Sequence, residues 1–185
     1  MMKNGMIIFT LVLLSTAGRT MTSDAETQWQ RARQLYYKGL QSKAALEEAI
    51  DLFSQLEKHS DKTGVVKAYL GSLTALQAQY TPWPHKKVKY ANEGLKIMDD
   101  GLEKDPDDLE ALFIHGTTSY FLPFFFNRRD SANESFKRIL KLLPQRFAEQ
   151  DPDMLLNTLN FILEKADLND QERHAAEQLK SKIDM

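Results

Sequence analysis

The feature that most constrains this chain is a pattern of three side chains that recurs along its length. A small residue is followed four positions later by a large apolar residue, and by another three or four positions further on. The alanines that open the pattern lie 42, 41 and 43 residues apart, in the triplets Ala49–Phe53–Leu56, Ala91–Leu95–Met98, Ala132–Phe136–Ile139 and Ala175–Leu179–Ile183. Such spacing places the three side chains on one face of a helix, and the alanine admits a close neighbour. The chain is therefore predicted to repeat one helical unit.

Residue preferences indicate an all-α protein. Ala, Leu, Glu, Lys and Gln are frequent from Ser23 onward, whereas the β-branched residues typical of strands are sparse. Short connections favour antiparallel hairpins, so about four helix pairs are expected. The predicted helices span 25–39, 43–59, 63–80, 85–104, 107–121, 131–143, 152–166 and 170–183.

Capping signals and helix-breaking residues set these boundaries. A capping box pairs an N-cap side chain with a glutamate three residues later. Four capping boxes are predicted: Ser23/Glu26, Asp107/Glu110, Ser131/Glu134 and Asn169/Glu172. A further helix start is predicted at Asp151–Pro152, and helix ends are predicted at Gly39 and Pro144.

The first 25 residues resemble a secretory signal peptide. Lys3 precedes an apolar run from Met6 to Leu14, which is shorter than the 20 or so residues that span a bilayer. Small residues allow cleavage after Ala17 or Ala25; an uncleaved anchor or a buried helix is the alternative. The mature chain, 26–185, is expected to be a single exported domain without a transmembrane helix, periplasmic or extracellular.

Composition argues against several functions. The net charge of −2 offers no general attraction to nucleic acid, and the absence of cysteine excludes disulfides, thiolate metal sites and a cysteine nucleophile. The four histidines are dispersed, with no zinc-protease motif and no glycine-rich phosphate loop. We therefore expect neither an enzyme nor a cofactor or metal site. His115 is interpreted as a hydrogen-bonded core residue rather than a ligand, and the acidic DPDD turn at 105–108 as a helix start.

The segment DPDDLEALFIHG, 105–116, resembles the junction between tetratricopeptide repeats. Pro144 is similar to the proline that ends such a repeat, and the first pair carries a matching aromatic–small–aromatic pattern at Trp29, Ala32, Arg33 and Tyr36. The resemblance is best over 87–144. It implies a right-handed stack of antiparallel helical hairpins, an α-solenoid. The period here exceeds the family's 34 residues, a HEAT-like arrangement stays open, and 145–185 is either a true repeat or a capping hairpin.

Two glycines stand within predicted helices, where glycine costs about 1 kcal/mol relative to alanine. We expect Gly71 and Gly116 to lie at helix crossings, where the missing side chain lets the backbones approach. A local kink is the alternative.

By the resemblance, the first helix of each pair lines a concave groove that holds a partner peptide or helix. The groove positions are Gln30, Gln34, Tyr37, Lys38, Ala68, Ser72, Leu76, Phe113, Thr117, Tyr120 and Phe121. Phe113 and Phe121 could instead face the core. The function expected is an exported protein-binding scaffold or adaptor whose partner is a protein or peptide.

Two insertions, 80–90 and 121–129, combine aromatic and basic residues and suggest an alternative. They contain HKKVK at 85–89 and FLPFFFNRR at 121–129. A peripheral membrane protein would use such segments to contact a lipid surface. The phenylalanines of FLPFFF are nevertheless expected to fill the core. A helical enzyme with a pocket at Trp83, His85 and Tyr90 is the third hypothesis.

Overall fold

The computed structural model describes residues 23–59, 61–150 and 152–183, and in this part of the chain helices joined by short connections are the only regular secondary structure, without strands. The predicted signal peptide lies almost wholly outside the described residues. Short 3-10 turns occupy Gln77–Tyr80, Phe124–Phe126 and Phe147–Glu149. The eight α-helices are α1 (Ser23–Gly39), α2 (Lys43–His59), α3 (Thr63–Leu76), α4 (Pro84–Lys104), α5 (Leu109–Phe121), α6 (Arg129–Arg146), α7 (Pro152–Lys165) and α8 (Asp170–Ser181).

All eight predicted helices are present, but some of their ends differ. The Asn169/Glu172 capping box is confirmed. The N-cap of α5 is Asp108 rather than Asp107, with its carboxylate accepting a hydrogen bond from the Ala111 amide. The Ser131 start is wrong, because α6 already begins at Arg129.

Pro144 does not end its helix but lies inside the last turn of α6. A proline removes a backbone donor and usually breaks a helix. Here the neighbouring Leu143 is fully buried, and Phe147 packs against the same core cluster. This packing holds the final turn in place.

Contacts between the helices fix their relative directions. Tyr36 meets Ser72 and Gly39 meets Tyr80, so α1 and α3 are parallel. The pairs Tyr69–Glu110 and Ser72–Thr118 make α3 and α5 parallel in the same way. The even-numbered partners run the other way, as the pairs Gly64–Gly101 and Gly71–Gly94 show for α4. The carboxyl ends of α1, α3 and α5 therefore lie at one end of the molecule.

The buried side chains form two adjoining clusters, each with an aromatic centre. In the first, from α1, α2, α3 and part of α5, Tyr69 stacks on Phe53 and meets Trp29 edge-on. In the second, from α5 to α8, Phe161 contacts four aromatic rings: Phe113, Tyr120, Phe121 and Phe136. Since α5 contributes to both clusters, it joins the two halves of the core.

The recurring triplets are buried in the first three pairs but not as predicted in the fourth. Ala49, Ala91 and Ala132 are each at most 1% exposed. In α8, Leu179 is buried as predicted, but Ala175 is exposed and Ala176 is buried in its place. One residue corresponds to about 100° of rotation on a helix, so the choice of Ala175 as the small residue facing the core was wrong.

The crossing of α3 and α4 is formed by glycines on both helices. A Cβ on Gly71 would lie 2.5 Å from the Gly94 carbonyl oxygen and 2.7 Å from the Met98 nitrogen. About two helical turns from this contact, Gly64 and Gly101 face each other in the same manner, and a Cβ on Gly101 would lie 2.7 Å from the Gly64 carbonyl oxygen. Gly116 differs, because a Cβ there would meet the Phe136 ring at 2.6 Å. The missing side chain of Gly116 therefore makes room for the Phe136 ring of α6, and not for a close approach of two helix backbones as predicted.

None of the described helices combines the length and apolar character required to cross a bilayer.

Candidate functional site

A half-open cleft of about 290 Å³ lies between α1, α3 and α5, the first helices of three successive pairs. Most of its exposed wall is carbon: aliphatic and aromatic side chains dominate both sides. It is lined by Tyr36, Tyr37, Leu40, Ser72, Ala75, Leu76, Gln79, Phe113, Ile114, Thr117, Thr118, Phe121 and Leu122. Such a surface suits an apolar side chain or a short apolar segment.

Hydroxyl groups from the three helices meet in a chain at this cleft. The Tyr36 hydroxyl lies 3.0 Å from Ser72 Oγ, which lies 2.8 Å from Thr118 Oγ1. Burial raises the pKa of Tyr36, although the hydrogen bonds to Ser72 and Thr118 oppose the shift. The Tyr36 phenol therefore stays neutral, and the three hydroxyl groups supply uncharged hydrogen-bonding groups in an otherwise apolar site.

An ion pair ties the same three helices together nearer the start of α5. Arg33 donates from Nε and Nη2 to the two carboxylate oxygens of Glu110, at 2.6 and 2.5 Å, and Tyr69 donates to the same carboxylate. Burial alone would lower the pKa of Arg33, but the charge and hydrogen bonds of Glu110 outweigh it and raise that pKa. Both charged side chains are largely buried. This network connects α1, α3 and α5 through side chains that lie outside the cleft.

The structure brings six of the predicted groove residues together. Tyr37, Ser72, Leu76, Phe113, Thr117 and Phe121 all line the cleft. Gln30, Gln34 and Lys38 lie on α1 but not in the cleft, and Ala68 is buried in the first core cluster. Tyr120 lies outside it, between the Phe161 ring and the guanidinium of Arg129, which is 3.7 Å from the ring centroid.

Sequence reasoning missed several lining residues. Tyr36 was noted for its place in the repeat pattern but not as a groove residue. Leu40 and Leu122 follow the last helical residues, and Gln79 lies in a 3-10 turn, so a helical phase assigns them no face. Thr118 could have been found from its position three residues before Phe121, a predicted groove residue on the same helix.

His115 is a buried, hydrogen-bonded histidine, as expected, and it takes part in a Ser–His–Asp arrangement. Its Nδ1 lies 2.7 Å from Ser135 Oγ, and its Nε2 lies 3.0 Å from Asp99 Oδ1. Arg128 also contacts both Asp99 oxygens, at 3.2 and 2.5 Å. Burial would raise the pKa of Asp99, but hydrogen bonds from His115 and Arg128 lower it below its usual value.

This arrangement is oriented poorly for nucleophilic catalysis. Ser135 is buried, and the carboxylate is the partly exposed member. None of Asp99, His115 and Ser135 lines the cleft. The four groups instead connect α4 and α5 to α6 and to Arg128, the residue that precedes α6.

A second concavity of about 450 Å³ lies beside α2 and the start of α4. Trp83 and Tyr90, two of the three residues suggested for an enzyme pocket, line it together with Lys43, Glu47 and Lys86. His85 is not among the lining residues; its ring lies 6.3 Å from that of Trp83. Two of the charged side chains that line it, Lys43 and Glu47, are paired with each other.

Within the described ranges, no three His, Asp or Glu side chains are grouped so that they could hold a metal ion. No protein-family model matches the chain, and a search among curated proteins finds no relative. The fold and the cleft define an all-helical protein built of packed hairpins.

Proposed function

We propose that this protein is an exported, non-enzymatic adaptor that holds an apolar segment of a partner protein in the cleft between α1, α3 and α5. The proposal includes a right-handed, tetratricopeptide-like order of the helix pairs and removal of the predicted signal peptide. One observation carries it: the first helices of three successive pairs run parallel and share one apolar cleft. In a stack of helical hairpins, these helices form the concave binding face.

The chemistry of the cleft supports a peptide or helix rather than a charged small molecule. Leu76 and Phe113 offer apolar walls, while the hydroxyls of Ser72 and Thr118 already satisfy each other. Among the described residues, no Lys or Arg lines the cleft, so this part of the chain provides no cation there for a carboxylate or phosphate. A bulky apolar anchor residue from the partner would bury both its own surface and the cleft walls.

Photo-crosslinking can test this assignment in the native envelope. A benzoylphenylalanine in place of Phe121, at the exposed rim, should form a specific covalent adduct whose partner is identified by mass spectrometry. The control probe replaces Gln178, which is exposed on α8 and far from the cleft in the fold. Leu76→Glu, which puts a charge on the apolar wall, should abolish the adduct from position 121.

Tyr120→Phe serves as the matched variant, because it changes an aromatic residue of α5 outside the cleft and should leave the adduct unchanged. An adduct that survives Leu76→Glu in a folded variant, or one formed equally from position 178, would show that the cleft is not the binding site. Circular dichroism of each variant establishes that it is folded.

A further inference from the structure

The connections after α1, α3 and α5 lie at the same end of the molecule, because these three helices are parallel. Their proximity is direct in the first two cases: Tyr80 donates a hydrogen bond to the Gly39 carbonyl, and Gln79 donates one to the Leu40 carbonyl. Leu122, which follows α5, lines the cleft together with Leu40. We call this surface the aromatic end and define it as residues 38–43, 77–90 and 121–130.

The large apolar side chains that are exposed among the described residues all belong to the aromatic end: Leu40, Trp83, Val88, Phe121, Phe124 and Phe125. Phe124 is 89% exposed, Phe125 is 62% exposed and Trp83 is 57% exposed. The expectation that FLPFFF fills the core is therefore wrong for these phenylalanines. The 3-10 turn at Phe124–Phe126, closed by Asn127 in the left-handed region with φ of 52°, projects them away from the second core cluster.

Cations accompany these aromatic side chains. Lys86 and Lys87, in the first turn of α4, are exposed and form no ion pair within the described part of the chain, and Lys38 is exposed at the end of α1. The aromatic end contains no glutamate. Two of its lysines, Lys43 and Lys89, pair with Glu47 and Glu93, which lie just outside it. Asp130 adds one negative charge, so the end carries a positive surplus.

The positions of Lys86 and Lys87 give no benefit to folding. A helix amino end favours negative side chains, and these two cations sit in the first turn of α4, where the backbone dipole opposes them. The rings of Phe124 and Phe125 contact each other but leave most of their apolar surface in water, which lowers solubility. Both features become favourable where apolar rings can enter a lipid interface and lysines can meet anionic headgroups.

We propose that the aromatic end docks on the surface of an anionic phospholipid bilayer, with Trp83, Phe124 and Phe125 inserted among the headgroups and Lys86 and Lys87 paired with lipid phosphates. The commitment to a bilayer, rather than to a protein or a second copy, rests on the positive charge of this end combined with the exposure of Phe124 and Phe125, whose rings contact each other but are largely open to solvent. This inference does not depend on the occupant of the cleft.

The two tryptophans of the chain provide an internal probe. Trp29 is 1% exposed, whereas Trp83 is exposed, so acrylamide should quench mainly Trp83. Vesicles of phosphatidylcholine and phosphatidylglycerol should protect Trp83 and shift its emission to the blue, and vesicles of phosphatidylcholine alone should do neither. The Trp83→Phe variant, which retains Trp29 as its only tryptophan, should show no change of fluorescence when anionic vesicles are added.

Vesicle co-sedimentation then tests each component. Lys86→Glu/Lys87→Glu should weaken binding to anionic vesicles by roughly thirtyfold at low salt, and added salt should weaken wild-type binding because it screens the charges. Phe124→Ser/Phe125→Ser should weaken binding to a similar extent. The matched control is Lys58→Glu/Lys104→Glu, an equal charge change on exposed lysines at the opposite end, which should bind nearly as well as the wild type.

Three outcomes would overturn the proposal. The first is the absence of binding to anionic vesicles at low salt. The second is an equal loss in the Lys58/Lys104 control, which would reduce the effect to net charge. The third is a dimer by sedimentation velocity that Phe124→Ser/Phe125→Ser abolishes while vesicles leave Trp83 unprotected, which would make the aromatic end a contact between two copies.

Discussion

At the scale of single residues, the start of α5 concentrates three carboxylates with different tasks. Asp107 accepts hydrogen bonds from Arg138 at the surface, Asp108 caps the helix, and Glu110 meets the buried Arg33. From the sequence, Glu110 appeared to be the second half of a capping box. Its actual partner lies 77 residues away, a distance at which local pattern carries no information about pairing.

Replacement of Glu110 tests whether the buried pair holds the three helices together. Glu110→Gln leaves the Arg33 charge buried without its counter-ion, so the free energy of unfolding should fall by about 3 kcal/mol. Asp107→Asn removes a half-exposed pair and should cost less than about 1 kcal/mol. Urea denaturation measures both. Equal losses in the two variants would show that the buried pair has no special role.

The pH dependence of stability should carry the signature of Asp108. Burial and the nearby charge of Glu110 raise the pKa of Asp108 from 3.8 to about 6, although the amide of Ala111 opposes the shift. The folded state therefore binds this proton more tightly than the unfolded state does. The resulting stability is complete below pH 4 and is lost as the pH rises through about 6.

Asp108→Asn isolates this effect, because asparagine caps a helix as well as aspartate does. The variant should lose the downward slope between pH 4 and pH 6.5 and should be more stable than the wild type at pH 7 by roughly 2 kcal/mol. Asp99 does not interfere, since its lowered pKa acts below pH 4 with the opposite sign. If the Asp108→Asn variant lost stability between pH 4 and pH 6.5 as steeply as the wild type does, a group other than Asp108 would bind the proton responsible.

At the scale of helices, boundaries were far easier to predict than crossings. Propensity and turn residues act locally, so α2 has the bounds predicted for it, and the predicted span of α4 begins only one residue late. Gly94 and Gly101 were not singled out, because in sequence they resemble weak points in a helix. Their role appears only when α4 lies against Gly71 and Gly64 of α3. The choice of Ala175 rather than Ala176 failed for the same reason, since adjacent alanines differ only in what they face.

Gly71→Ala measures how tightly this crossing is packed. The new methyl group would lie within 2.7 Å of the Gly94 oxygen and the Met98 nitrogen, so α3 and α4 would have to separate. Despite the higher helix propensity of alanine, we expect a loss of about 2 kcal/mol in thermal or urea unfolding. Gly39→Ala, whose nearest contact would be 3.0 Å from Leu46 Cα, should be milder. A stabilised Gly71→Ala variant would contradict the close approach.

At the scale of the whole molecule, the chain has two unlike ends. One end carries the DPDD turn together with the basic residues Lys58, Lys104 and Arg146 of neighbouring helix ends, whereas the aromatic end carries exposed rings and lysines. Hairpin pairing was predictable from short connections. The exposure of Phe124 and Phe125 was not, because composition favours burial of phenylalanine and only the path of the 121–129 connection decides otherwise.

Phe161→Ala tests whether the two core clusters unfold as one. The change removes the ring at the centre of the second cluster and should cost about 3 to 5 kcal/mol. Because α5 belongs to both clusters, Trp29 fluorescence in a Trp83→Phe background and far-ultraviolet circular dichroism should shift to the same lower midpoint. A Trp29 transition that stays at its original midpoint while the dichroism becomes biphasic would mean that the clusters are independent.

The glycine-lined crossing of α3 and α4 also has a consequence for how the chain acquires its structure. These two helices are adjacent in sequence and share the most extensive interface in the described fold, so forming their hairpin requires closure of only a short loop. Assembly should start in the middle of the chain and proceed outward in both directions. The outermost helix, α8, buries little beyond Ala176 and Leu179, and it should be the last to dock and the first to detach.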